Sequence, residues 1–257
     1  SWATEVLVLS SSTDRTNQIA EKLGAHIVPV TLDKDFPFLG VQKACNMTLE
    51  KIETAWTFRL DADEVFTPEL REEVTQICSR VSTVVAYGVP RKQFFWGGFL
   101  NGGDWAHDRL IRLFRTGSAR YDLKSHVHEQ FVVDGESGEL KSALEHFSHP
   151  TLAIALHKFN TYTTAEVADL QLSPHTALIK LLWRPPYVVC RWLFWNNGFV
   201  DGWRGLIAAI FRGFYEFLVY AKYLEKQGFA KDLSLIHISE PTRLRRKSYA
   251  VFCWKKK

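Results

Sequence analysis

An apolar run from Trp56 to Leu60 stops abruptly at Asp61, Asp63 and Glu64, and Thr67-Pro68 then opens a helix whose first turns carry Glu69, Glu72 and Glu73. Proline is favoured at a first helical position, where its missing N–H has no partner to lose. The pattern predicts a short buried strand over 56–60, a tight turn holding Asp61 and Asp63, and a helix. Acids so placed lie at the carboxyl edge of a sheet, where α/β folds bind phosphorylated ligands. Their hard oxygens suit a divalent cation that also grips a diphosphate. Capping and solvating the next helix is the alternative that the same residues satisfy.

The segments upstream alternate in kind. Residues 5–9 read as a strand, Ser10 to Asp14 as a turn at a helix start, Gly24 as the helix stop, and Ala25 to Val30 as a second strand; a further helix, about Val41 to Ile52, leads to the strand before Asp61. Such alternation predicts an α/β fold with a mostly parallel sheet. Ser10 and Ser11 stand where free backbone N–H groups at a helix start meet a nucleotide phosphate, although Ser, Thr and Asp are ordinary caps there too.

From Val84 to Arg115 the spacing predicts short strands with turns at Gly97-Gly98 and Gly102-Gly103. The strand Arg109 to Arg115 offers Arg109, Arg112 and Arg115 either to diphosphate oxygens or to solvent along an edge. Strand alternation places His126 and His128 on one face and Glu129 on the other. Two histidines without a further ligand make a poor metal site, whereas Glu129 suits a general base if it reaches an incoming hydroxyl.

Residues 176–224 differ in composition, with Trp, Pro and Arg interleaved around Trp183, Arg191 and Trp203. Within Trp203 to Leu224 apolar residues recur at helical spacing, and Arg204, Arg212, Glu216 and Lys222 fall elsewhere on the wheel. This predicts an amphipathic helix that either covers the protein's own core or lies in a bilayer interface.

Bulk properties exclude several classes. With 46% hydrophobic residues in 257, the chain supplies a proper core. Its net charge of +4 comes from residues 230–257, which hold eight Lys/Arg and two Asp/Glu; the body is left at −2, so no nucleic acid is expected as partner. Cys45, Cys78, Cys190 and Cys253 form no close pair, so neither a zinc site nor a disulfide framework is expected, and a reducing, cytosol-facing setting fits. No signal pattern and no uncharged apolar stretch of spanning length is seen. Three regions follow: a catalytic domain over 1–150, a helical membrane-associating region over 151–229, and a tail over 230–257 that reads as non-native, because Leu233 to Arg243 looks like translated sequencing adapter. A strand starts almost at once after Ser1, so an upstream strand is expected to be lacking.

Together these residues resemble glycosyltransferase family 2, and within it the lipopolysaccharide inner-core β-1,4-glucosyltransferases, over about residues 2–228. The segment Val8 to Thr16 is similar to the family's Val-Asp-Ser-Gly-Ser-Thr-Asp-Gly-Thr turn, and Leu60 to Glu64 to its Asp-x-Asp motif. Arg112-Leu-Phe-Arg115 with Val127-His-Glu129, and Gly198 to Gly202 with Gly205 and Lys222, resemble segments of the narrower subgroup. The resemblance implies a GT-A fold, a nucleotide-sugar donor, expected to be a UDP-sugar, and an inverting displacement that moves a hexose, expected to be glucose, to a lipid-linked oligosaccharide acceptor. It implies Mg²⁺ or Mn²⁺ on Asp63, a ribose or metal-water contact from Asp61, Arg112 at the leaving diphosphate, and Glu129 or else Asp108 as base. It also implies a peripheral place on the cytoplasmic face of the inner membrane. Leu9 replaces the family's nucleobase-contacting acid, so weakened donor binding is expected, and a catalytically impaired sugar-nucleotide-binding or membrane-docking module is the alternative.

Overall fold

The structure, a computed structural model, describes residues 2–30, 37–123 and 131–228. It opens with a β-α-β unit, β1 (Leu7–Ser10), α1 (Thr16–Lys22) and β2 (His26–Pro29), in which β1 and β2 pair in parallel with Leu7 opposite His26. Asp14 organises the entry to α1: its carboxylate accepts the Ser12 hydroxyl at 2.6 Å and the Thr16 N–H at 2.8 Å, and these bonds, the Ser12 one foremost, lower its pKa to about 2. Gly24 ends the helix with φ +84°, a backbone angle that side chains disfavour.

Helix α2 (Pro37–Leu49) begins four residues earlier than its pattern predicts, with Pro37 at its first position. A larger sheet follows, built from β3 (Trp56–Phe58), β4 (Glu64–Val65), β5 (Val84–Phe95), β6 (Gly98–Phe99), β7 (Arg109–Arg115), β10 (Glu136–Glu139) and β11 (Leu144–His149). Its order is β3-β7-β5-β11-β4, with β6 and β10 also on β5. Between β4 and β5 lies α3 (Pro68–Cys78), capped by Thr67, whose hydroxyl accepts the Leu70 N–H. The hairpin β8 (Ala119–Tyr121) and β9 (Phe131–Val133) stands apart as a two-stranded sheet.

The mixed α/β class is the one expected, but the strand pairing differs from a mostly parallel sheet. Parallel pairs join β1 to β2 and β10 and β11 to β5, whereas β3 runs antiparallel to β7 and β7 antiparallel to β5. The expected short strands after Val84 are one long strand: β5 runs through Pro90 to Phe95 and turns at Trp96-Gly97, both with positive φ.

Helices cover the large sheet on both faces. Leu70 and Val74 of α3 pack with Val89, Leu113 and Leu144 on one side, and Cys45 and Leu49 of α2 pack with Ala86 and Phe114 on the other. Leu113 and Phe114 point oppositely because successive strand residues alternate faces.

The C-terminal region is helical: α4 (Leu152–Asp169), α5 (Pro174–Cys190), a π turn over Arg191–Trp195, a 3-10 turn over Gly198–Asp201, and α6 (Gly202–Lys226). The face of α6 turned inward carries small residues, including Gly205, Ala208, Ala209 and Gly213. A methyl on Gly213 would stand 2.7 Å from Val189 Cγ2, so the glycine is what lets α6 approach α5 this closely. Phe95 and Leu100 at the β5 end pack with Trp192, Ala208 and Ala209, which joins the helices to the sheet.

Candidate active site

The acid turn folds because its charges are answered locally and from below. Leaving β3, the chain turns back at Asp61 to Glu64, where Glu64 N–H donates to the Asp61 carbonyl at 3.0 Å and the Glu64 carboxylate accepts the Asp61 N–H at 2.9 Å. Beneath lies Arg112 on β7, one strand over. Its Nη2 donates to Glu64 Oε1 and to Asp61 Oδ2, both at 2.5 Å. Arg112 and Glu64 have no exposed side-chain surface, so each neutralises a charge that would be costly to bury alone. Although burial works against the cation, the adjacent Asp61 and Glu64 outweigh it and raise the Arg112 pKa. Two further nitrogens of Arg112, Nε and Nη1, are buried without a hydrogen-bond partner.

Asp61 is fully engaged, with Arg59 Nη2 on Oδ1 at 2.7 Å and Arg112 on Oδ2. Asp63 is the more exposed member of the pair, its side chain 36% exposed against 28% for Asp61 and none for Glu64, but it too has a partner on each oxygen. His146 Nε2 lies 3.4 Å from Asp63 Oδ1, and Lys158 Nζ of α4 lies 3.0 Å from Oδ2. The hydrogen bond from His146, followed by the charges of His146 and Lys158, holds the Asp63 carboxyl well below the usual carboxylate range. The backbone reinforces this, since Phe147 N–H donates to the Asp63 carbonyl at 2.8 Å.

Asp108 follows the 3-10 turn Asp104–His107. Its Oδ2 accepts Arg91 Nε at 2.9 Å, Arg91 Nη2, and Gln93 Nε2 at 2.8 Å. Arg91 also reaches Glu64 at 3.4 Å, so Asp108 and the acid turn share one cation. A carboxylate only accepts, which fixes the Gln93 amide with its oxygen toward Ser148; the Ser148 hydroxyl donates to it at 3.2 Å and is left to accept from His149 Nδ1, 2.6 Å away. This leaves His149 Nε2 as the unprotonated nitrogen. Burial, with the charges of Lys158 and His146, pushes the His149 pKa down to about 4, so its ring is neutral at pH 7. The ring stacks on Trp105 at 5.0 Å.

Of the residues singled out from the sequence, Asp61, Asp63, Arg112 and Asp108 fall in this network. Arg112 is not on an edge or a solvated face, as the sequence allowed, but in a central strand between β3 and β5. Ser10 ends β1 of the separate β1-β2 sheet and Ser11 follows it, with Ser10 Oγ accepting the Ser12 N–H at 3.1 Å. His126, His128 and Glu129 lie outside the described residues. Arg91, Gln93, His146 and Lys158 were not anticipated.

A carboxylate is a hard oxygen donor of the kind Mg²⁺ takes beside phosphate oxygens and water, but Lys158 and His146 already answer both oxygens of Asp63, so an ion there would have to displace one of them. Among the described residues no group of three or more His, Cys, Asp or Glu makes an all-protein cage.

The chain is 30% identical to the lipopolysaccharide core biosynthesis glycosyltransferase LpsC of Rhizobium meliloti over 224 residues, covering 86% of this chain and 82% of that protein. It is 24% identical to uncharacterised glycosyltransferases of Rickettsia felis, over 95% of this chain and 88% of that one, and of Rickettsia prowazekii, over 90% and 79%. No protein-family model matches it.

Proposed function

The chain belongs to the glycosyltransferases, and from that premise we propose that it is an inverting, family 2 enzyme of GT-A type that moves a hexose, glucose in the first instance, from a UDP-sugar to a lipid-linked lipopolysaccharide core acceptor. The observation that carries this reading is Asp63, a partly exposed carboxylate at a strand-end turn, oriented by His146 and Lys158 and backed by the buried Arg112–Glu64 pair.

The roles follow from what each group can still do. Asp63, with Lys158 or His146 displaced, would hold Mg²⁺ or Mn²⁺, and such an ion would neutralise charge on the diphosphate. Asp61, held by Arg59 and Arg112, keeps the turn in shape and faces the ribose. Arg112 supports the turn from beneath through Asp61 and Glu64; its Nε and Nη1 are buried, so the contact with a diphosphate oxygen that the resemblance implies would need the turn above it to open. Ser10 and Ser11 contact the nucleotide from the β1 end. As the acceptor hydroxyl oxygen bonds to the anomeric carbon, the bond from that carbon to the phosphate oxygen breaks and its electron pair leaves with the diphosphate. The hydroxyl proton passes to a carboxylate, Glu129 first and Asp108 second, the latter held in place by Arg91 and Gln93. The acceptor's lipid sets the place of work, the cytoplasmic face of the inner membrane, which the protein meets peripherally.

The test is transfer of labelled hexose from UDP-hexose to lipid-linked core oligosaccharide with Mn²⁺ present. Asp63→Asn, which keeps the shape and removes the charge, is expected to lower transfer by at least about a hundredfold, the scale of losing one electrostatic stabiliser of the transition state. Undiminished turnover in that variant would sink the assignment.

A further inference from the structure

The outward face of α6 is apolar as well as the inward one. Trp203, Leu206, Ile210, Phe214 and Phe217 recur at three- and four-residue intervals, each between 40% and 55% exposed. The connection before α6 adds Phe194, Trp195 and Phe199, exposed by 69%, 73% and 59%. At the same end Trp96, on the tip of the β5–β6 hairpin, meets Trp203 edge-on at 5.6 Å and carries the patch onto the sheet unit. Monomers seldom leave so many large apolar groups contiguous without a partner.

Charge says which partner. Residues 176–228 hold seven Lys/Arg and three Asp/Glu, a balance of 7 − 3 = +4, whereas residues 1–175 hold seventeen and twenty-three, 17 − 23 = −6. Arg184 and Arg212 share the single carboxylate of Glu216, and Arg204 lies over the Trp203 ring at 4.8 Å with no acid partner among the described residues. Trp rings and guanidinium groups suit the headgroup layer, where one end of the side chain is apolar and the other wet. Among the described residues no helix is long and apolar enough to cross a membrane.

We propose that the outward face of α6, with the segment before it and the β5–β6 hairpin tip, docks onto an anionic phospholipid surface, with α6 lying in the interfacial plane. The purpose of this docking rests on the reading of a lipid-linked acceptor; the surface itself stands on exposure and charge. The tie to catalysis is short, because Asp201, just before α6, accepts the N–H groups of Asn101 at 2.9 Å and Gly102 at 2.8 Å, in the loop that leads from β6 toward Asp108.

The experiment is co-sedimentation of the full chain with vesicles of phosphatidylethanolamine and phosphatidylglycerol, beside vesicles of phosphatidylcholine alone, with neither donor nor acceptor present. The expected result is binding to the anionic vesicles that salt weakens and that Phe214→Glu with Phe217→Glu reduces about tenfold or more. Should that variant melt below the wild type, Trp195→Glu, in the connecting segment, carries the same expectation. Equal sedimentation of folded variants and wild type would overturn the proposal, as would no binding by the wild type, or a dimer in light scattering that the substitutions dissociate. Asp63→Asn is expected to bind vesicles as the wild type does, so failed docking and failed transfer are told apart.

Discussion

Arg112 carries the acid turn, and its place shows what single residues disclosed in advance. In Arg109 to Arg115 the three arginines are three apart, so period-two alternation puts Arg112 on the face opposite Arg109 and Arg115. That much is legible. What buries it, Glu64 and Asp61 arriving from another strand, is a tertiary fact, and the same holds for Lys158, which meets Asp63 from 95 residues away. Arg109 instead pairs with the exposed Glu139, and Arg115 covers the Trp56 ring at 4.7 Å. Arg112→Met would leave Glu64 buried with the Asp61 N–H and, as its remaining cation among the described residues, the longer contact to Arg91. Breaking a buried pair by removing one partner costs about 3–5 kcal/mol, so urea unfolding of this variant is expected to show a loss of that size, and a loss below about 1 kcal/mol would mean the pair contributes little.

At the scale of elements, the local signals were the faithful ones. The β-α-β start, Pro68 at the head of α3 and the periodicity of α6 each arise from neighbours in sequence, and each stands where it was expected. Pairing direction was not legible, because nothing in Trp56 to Leu60 says that its partner is β7 running the other way. Nor was the length of β5, since Pro90 lacks an N–H and reads as a break, yet it pairs opposite Arg109 inside the strand. The Gly198 to Gly205 segment, read first for its resemblance, has a structural reason: a methyl on Gly205 would collide with the Gly198 carbonyl, and Asp201 bonds the Asn101–Gly102 backbone. Asp201→Ala removes an acceptor from two N–H groups. It is expected to cost about 2 kcal/mol, a hydrogen bond to a charged group contributing about 1.5–3, with calorimetric melting as the check. An unchanged melting temperature would leave the segment's composition without this explanation.

At the scale of the molecule, a sheet unit with a charge-balanced acid turn is joined to a helical unit with an aromatic outer face. The account depends on Asp63 being the group through which a cation and a nucleotide diphosphate are held together. The most direct measurement is calorimetric titration of the full chain with UDP, with and without Mn²⁺, in the wild type and in Asp63→Asn. The account predicts UDP binding that requires Mn²⁺ in the wild type and is lost in the variant. UDP affinity that is the same in both proteins, or indifferent to the metal, would contradict it.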